Sequence, residues 1–251
     1  MPRSLRAGDA GDMPSQTMHT HAPPGPRPVL SGADLAKDYG RTTALHHASL
    51  VVDRGESVAV MGPSGSGKST LLYCLSGVVK PDGGEVLFSG VRVDELSDAR
   101  RADLRRSDFG FVFQFPGLLP ELSAAENVAL PLMLDGVGRR DAVARARELF
   151  PTLGLEGLER RRPGELSGGE AQRVGIARAL VLDPAVVFAD EPTGSLDTHT
   201  GDEVMSLLVS TVRDRRSALV LVTHDERVAE RCDRIVRVVD GRTLTEPKEV
   251  R

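Results

Sequence analysis

Short apolar runs separated by turn residues begin at Val29 and recur along most of the chain, and their spacing sets the first expectation about fold. Residues 44–52 (ALHHASLVV), 57–62 (SVAVMG) and 85–90 (EVLFSG) read as strands. A helix over 69–75 follows the second of them across a glycine-rich loop, with Gly77 as its C-cap before the Pro81-Asp82-Gly83-Gly84 turn. From about residue 94 to 162 Leu, Ala, Arg and Glu take over at helical spacing, as in RRDAVARARELFPTLGL, and β-branched runs become scarce. This predicts a helical insert at about 95–165. Strand and helix alternate again at 180–191, 217–225 and 234–241. VVFAD and ALVLVTH are near-continuous apolar runs, the form taken by strands buried on both faces of a parallel sheet.

At 251 residues the chain can bury a substantial core, and one domain with an embedded subdomain is expected over 29–246. Residues 1–28 are rich in Pro, Gly, Ser and His, lack an apolar segment of the secretory type, and read as a disordered extension. His19 and His21 within it do not by themselves make a metal site. Residues 247–251 are expected to form a C-terminal tail, and no internal repeat is present, so one copy of the domain is expected rather than two. The net charge of -4, from 32 basic and 36 acidic residues, gives no large single-sign field, and nucleic acid is not an expected partner. Arg160 to Arg162 read as a solvated helix end. Cys74 and Cys232 lie far apart, without disulfide or metal-ligand spacing, which fits a reducing cytoplasm. No run approaches the ~18 apolar residues of a membrane helix, so work at a membrane would need a separate spanning chain.

The candidate chemistry starts at Gly62-Pro63-Ser64-Gly65-Ser66-Gly67-Lys68-Ser69-Thr70, between a predicted strand and a predicted helix. Glycines let backbone N–H groups turn inward on phosphates, and the helix N-terminus adds its positive dipole end. Lys68 is expected on the β- and γ-phosphates of ATP, and the Ser69 hydroxyl on Mg²⁺. Downstream, VVFADE is an apolar strand that emerges in two acids at its carboxyl end, where open α/β sheets bind ligands. Asp190 is assigned to the metal and Glu191 to general-base activation of water. A third motif, Leu166-Ser167-Gly168-Gly169-Glu170, opens a helix and offers a second anion cradle. Either the protein binds two nucleotides, or this cradle serves the ATP of a partner subunit.

With these residues in hand, the sequence resembles the ATP-binding-cassette ATPases from about residue 30 to 242. The resemblance implies an α/β fold with a P-loop NTPase core, mainly parallel sheet with an antiparallel β subdomain, plus an inserted α-helical subdomain. It implies ATP hydrolysis in a head-to-tail dimer, with the LSGG loop of one copy completing the ATP site of the other. Gln114 in FVFQF looks like the glutamine that contacts Mg²⁺ or the attacking water, and Ser195-Leu196-Asp197 looks like the loop that crosses to the opposite subunit. His224 looks like the γ-phosphate histidine, and Tyr39 in KDYG like the aromatic that stacks on adenine. Glu170 departs from the commoner glutamine, and its charge beside a triphosphate is expected to weaken the closed dimer somewhat.

Three segments, GFVFQFPGLLPELSAAENVALPLML, PGELSGGEAQRV and EPTGSLD, look like the branch containing lipoprotein-release, macrolide-export and cell-division ATPases. The resemblance implies a peripheral ATPase subunit on the cytoplasmic face of the membrane, working with a separate transmembrane permease. Its function is then export or lipoprotein release, or alternatively regulation or force transmission through a membrane partner without solute movement. Phe115, Leu118, Leu119 and Leu122 are the candidates for an apolar groove that receives a coupling helix of the permease.

Overall fold

The computed structural model of the protein describes residues 28–245; the N-terminal extension with His19 and His21, and the tail at 247–251, lie outside the described residues. Two sheets organise the fold. An antiparallel sheet in the order β2-β1-β4-β5 is built from β1 (Leu30–Tyr39), β2 (Thr42–Val52), β4 (Gly83–Phe88) and β5 (Val91–Arg92). A six-stranded sheet in the order β10-β9-β3-β8-β7-β6 joins β3 (Ser57–Met61), β6 (Phe109–Phe113), β7 (Val186–Asp190), β8 (Ala218–Val222), β9 (Arg234–Val239) and β10 (Arg242–Thr245). All its pairings are parallel except β9 with β10. Every residue of β3 and β8 is buried, as their unbroken apolar runs require once both faces are covered.

Helices cover the six-stranded sheet: α1 (Lys68–Leu75), α2 (Asp98–Ser107), α3 (Ala124–Leu134), α4 (Arg139–Arg147), α5 (Gly168–Leu180), α6 (Thr198–Asp214) and the short α7 (Glu226–Ala229). One core joins α3, α4, α5 and α6 to one face of the sheet through residues such as Leu132, Ile176, Leu208 and Leu221. The second lies between α1, the antiparallel sheet and the opposite face, around Leu35, Leu72, Phe88 and Phe188. No helix among the described residues is long and apolar enough to cross a membrane.

The stretch read as a helical insert at 95–165 needs one correction. It contains β6, an edge strand of the main sheet paired in parallel with β7, and the helical part proper begins after it, with α3. Local physics favours the strand: Phe109 packs edge-on against both Phe88 and Phe188, while Phe111 stacks on Phe188 at 5.6 Å. Alternation places Phe109, Phe111 and Phe113 on one face of the pleated strand, where the first two pack on Phe188.

Candidate functional site

Strands β3, β8 and β7 are neighbours and parallel, so their carboxyl ends open on one edge of the sheet. That edge receives the loop at 62–67 from β3, Thr223 and His224 from β8, and Asp190 with Glu191 from β7. Residues separated by up to about 160 positions are thereby gathered at one place by strand order alone.

The loop at 62–67 is held by close backbone approach. A Cβ on Gly62 (φ 151°) would lie 2.0 Å from the Val238 carbonyl oxygen, and one on Gly67 (φ 102°) 2.3 Å from that of Ala44. Side chains are excluded at both points, and the loop is wedged between β9 and β2. Lys68 is buried and its ammonium donates to the Gly62 and Pro63 carbonyls at 2.9 and 2.8 Å. Ser66 is buried too, and its Oγ is without a hydrogen-bond partner among the described residues. An unsatisfied hydroxyl beside a lysine and a helix N-terminus suits a polyanion such as a triphosphate.

Beyond the loop, the Ser69 hydroxyl donates to Asp190 Oδ1 at 3.0 Å, and the Tyr73 phenol donates to Asp190 Oδ2 at 2.8 Å. Burial, reinforced by the Asp190 carboxylate, pushes the Tyr73 phenol up to about 12, so it stays a donor across the physiological range. A hydroxyl beside a carboxylate is a hard oxygen pair of the kind that holds Mg²⁺, and the residues present fit that ion. Glu191 follows with φ 50°, an uncommon conformation for a non-glycine residue, fixed by its N–H donating to Val222 O at 2.9 Å. Its Oε2 lies 2.6 Å from His224 Nδ1, a hydrogen bond in the tautomer that carries its proton there.

A cavity of about 280 Å³ is lined by Ser69, Tyr73, Phe113, Gln114, Phe115, Asp190 and Glu191. Gln114 thus meets the predicted acids, and its main-chain oxygen accepts from the Ser195 hydroxyl at 3.0 Å. Helix α5 braces the same segment from behind: Gln172 Nε2 donates to Phe113 O at 2.8 Å and Arg178 to Gly117 O at 3.0 Å. A second cavity of about 180 Å³ joins Glu191, His224 and Asp197. Asp197 caps α6 by accepting from the Thr200 N–H at 3.0 Å, and that bond holds its carboxyl below the usual range.

Other predicted residues stand apart. Ser167 to Glu170 line neither cavity. A Cβ on Gly169 would meet Thr200 at 2.5 Å, so this loop packs against the start of α6. Glu170 acts locally. Its carboxylate accepts from the Ser167 N–H at 2.7 Å while the Ser167 hydroxyl accepts from the Glu170 N–H at 3.3 Å, a capping box. The Ser167 N–H keeps the Glu170 carboxyl below its ordinary value. Tyr39, at the end of β1, is half-exposed with the Lys37 ammonium 5.7 Å from its ring, and does not line the Ser69 cavity. Tyr73 carries no motif signal in the sequence, although its position one helical turn after Ser69 places it on the same face of α1.

The sequence profile of the family described as "ABC transporter" matches residues 45–194, which span the phosphate loop, Gln114, the LSGG loop and both acids. The chain belongs to the ABC transporter family. This cassette is 49% identical over 222 residues to the lipoprotein-releasing system ATP-binding protein LolD of Geobacter metallireducens, covering 87% of the chain and 99% of the relative. It is 46% identical over 218 residues to LolD 2 of Rhodopseudomonas palustris, covering 85% and 94%. Among solved structures it is similar to the dimeric bacterial ABC transporter cassette MJ0796, with TM-score 0.80, 38% identity, and coverage of 88% of this chain and 100% of that one. A post-hydrolysis dimer of MJ0796 bound to ADP and Pi matches equally, at TM-score 0.80 and 37% identity. The cassette is an ATP-binding, ATP-hydrolysing subunit with the ABC ATPase fold.

Proposed function

We propose that the cassette powers a lipoprotein-release type of transport system, acting as a head-to-tail dimer on the cytoplasmic face of a membrane and driving a separate permease. The observation that carries the reading is the meeting of Ser69, Gln114, Asp190 and Glu191 in one cavity beside the phosphate loop, with His224 hydrogen-bonded to Glu191. The names of the relatives supply the transport class.

In this reading the loop amides, the Ser66 hydroxyl and Lys68 take the phosphates of ATP, leaving Lys68 to exchange its two loop carbonyls for phosphate oxygens. Ser69, Asp190 and Gln114 would hold Mg²⁺, which when bound would offset the negative charge of the phosphates. Glu191 accepts a proton from the attacking water. Because His224 occupies Oε2, the other carboxylate oxygen is left to face that water, and the His224 ring is fixed beside the γ-phosphate. Tyr39 offers its exposed ring to adenine. Ser167, Gly168 and Gly169 of a second copy complete the site, and residues 195–197 form the crossing between copies. The exposure of Ser167 and Gly168 and their absence from the cavities of their own chain support a role in trans.

Docking of the permease is assigned to an apolar groove of about 580 Å³ between α2, β6, α3 and α5. Its walls include Val78, Phe109, Phe111, Phe113, Leu130 and Leu134, with Arg105, Arg106 and Arg178 among the lining. The four residues expected there do not line it: Phe115 faces the ATP cavity and Leu118 packs into the helical core. The main chain of Leu119 and Leu122 is held by Asn127, whose carboxamide oxygen accepts from the Leu119 N–H and whose Nδ2 donates to the Leu119 and Leu122 carbonyls. Phe113 lines both the groove and the ATP cavity.

Glu191→Gln tests the catalytic assignment. Steady-state ATP turnover is expected to fall by roughly a hundredfold or more while nucleotide affinity is retained. Undiminished turnover would remove Glu191 from its role.

A further inference from the structure

Tyr73 is the residue of the ATP cavity to which no motif assigns a role. It stands on α1 four positions after Ser69, so both side chains leave the helix on one face, toward the carboxyl end of β7. Its ring packs against the core between α1 and the sheet, which fixes where the phenol points. The phenol donates to Asp190 Oδ2 at 2.8 Å, while the Ser69 hydroxyl donates to Oδ1 at 3.0 Å.

Two hydroxyls on two different oxygens determine the carboxylate plane, whereas one alone does not. The terminal torsion of an aspartate is broad, so a single hydrogen bond at Oδ1 leaves Oδ2 free to swing. Each carboxylate oxygen carries two lone pairs, so Oδ1 can face Ser69 and still present charge to a cation. We infer that Tyr73 is a positioning residue for the cation of the ATP complex: by holding Oδ2 it keeps Oδ1 beside the Ser69 hydroxyl and sets the affinity for a divalent ion bound with nucleotide. The inference rests on the assignment of Ser69 and Asp190 to Mg²⁺.

The test is a titration of the full-length chain with Mn²⁺ in the presence of a non-hydrolysable ATP analogue, read by the electron paramagnetic resonance signal of free Mn²⁺. Tyr73→Phe removes the hydroxyl and keeps the ring. Its Mn²⁺ affinity is expected to fall about ten- to a hundredfold, the loss typical of one hydrogen bond to a charged group. Affinity for the analogue in EDTA should stay at the wild-type value. Tyr73→Leu, which also lacks the hydroxyl, is expected to show the same Mn²⁺ loss. In an Asp190→Asn background the Tyr73→Phe change should add nothing, since its effect passes through Asp190. Wild-type Mn²⁺ affinity in Tyr73→Phe or Tyr73→Leu overturns the inference, as does an equal loss of analogue affinity in EDTA, which would mark Tyr73 as part of the loop's support. Should Asp190→Asn itself leave Mn²⁺ affinity intact, the metal assignment falls and this inference with it, a result distinct from failure at Tyr73 alone.

Discussion

At the scale of single residues, the site depends on what is excluded as much as on what is present. Gly67 has a left-handed backbone, and a Cβ there would press on the Ala44 carbonyl, a main-chain atom of β2 that cannot turn aside. Gly67→Ala is therefore expected to cost about 2–4 kcal/mol, from strain and overpacking together, and to abolish nucleotide binding. Urea unfolding and fluorescent-nucleotide titration of the variant read both effects. His224 acts on the opposite wall. Its hydrogen bond to Glu191 Oε2 orients the carboxylate, so His224→Ala should lower kcat roughly ten- to a hundredfold with KM little changed, as steady-state kinetics would show. Glu170 carries a local role besides the one expected from its charge. Its carboxylate accepts from the Ser167 N–H and stabilises the start of α5, and it stays ionised, so the charge expected to weaken a closed dimer is still carried at this position.

Among the elements, helix starts carry much of the local definition. Ser123 and Glu126 form a capping box on α3, with the Ser123 N–H donating to Glu126 at 2.9 Å and Arg139 paired to the same carboxylate. The Ser123 N–H, then Arg139, hold the Glu126 carboxyl at about 2. Its folded value lies below its unfolded one, so the associated stability is fully present above about pH 4.3 and is lost as pH falls toward 2. Ser123→Ala is expected to cost ~1 kcal/mol at neutral pH, and Glu126→Gln to flatten the decline below about pH 4.3; urea midpoints at about pH 7, 4 and 3 measure both. Legibility differed between elements for physical reasons. Strands β3, β7 and β8 declared themselves because burial on both faces forces unbroken apolar runs. Strand β6 was hidden inside a stretch dominated by helical spacing, with Phe rather than Val or Ile as its signal. Helix α6 was expected only as part of the alternation of strand and helix, its bounds unread, although Asp197 marks its cap and Val204, Met205, Leu208 and Val212 repeat at helical intervals.

For the whole molecule, the phosphate loop and both acids were legible because each closes a recognisable strand of one mainly parallel sheet, whereas His224 was named only through the family resemblance; strand order brings them together. Tyr73 was not, since an aromatic on a helix takes its meaning from the strand end opposite. The groove lining was not either, because it depends on the packing of α2, β6, α3 and α5 rather than on any one segment. The proposed division of the site between two copies has a signature in solution. Below the dimer constant, turnover per chain should fall about tenfold for each tenfold dilution, and Glu191→Gln with ATP should sediment at twice the monomer mass. Analytical ultracentrifugation and rate against concentration give the two readings.

Phe113 contributes to both the apolar groove and the ATP cavity, so one aromatic ring is a party wall between two rooms. An occupant of the groove that displaced Phe113 would change the volume of the ATP cavity, in the manner of a piston, with no charge on that side chain needing to move. A message of that kind is insensitive to ionic strength and pH. In the proposed docking, coupling through Phe113 should therefore persist in salt concentrations that dissolve ordinary surface ion pairs.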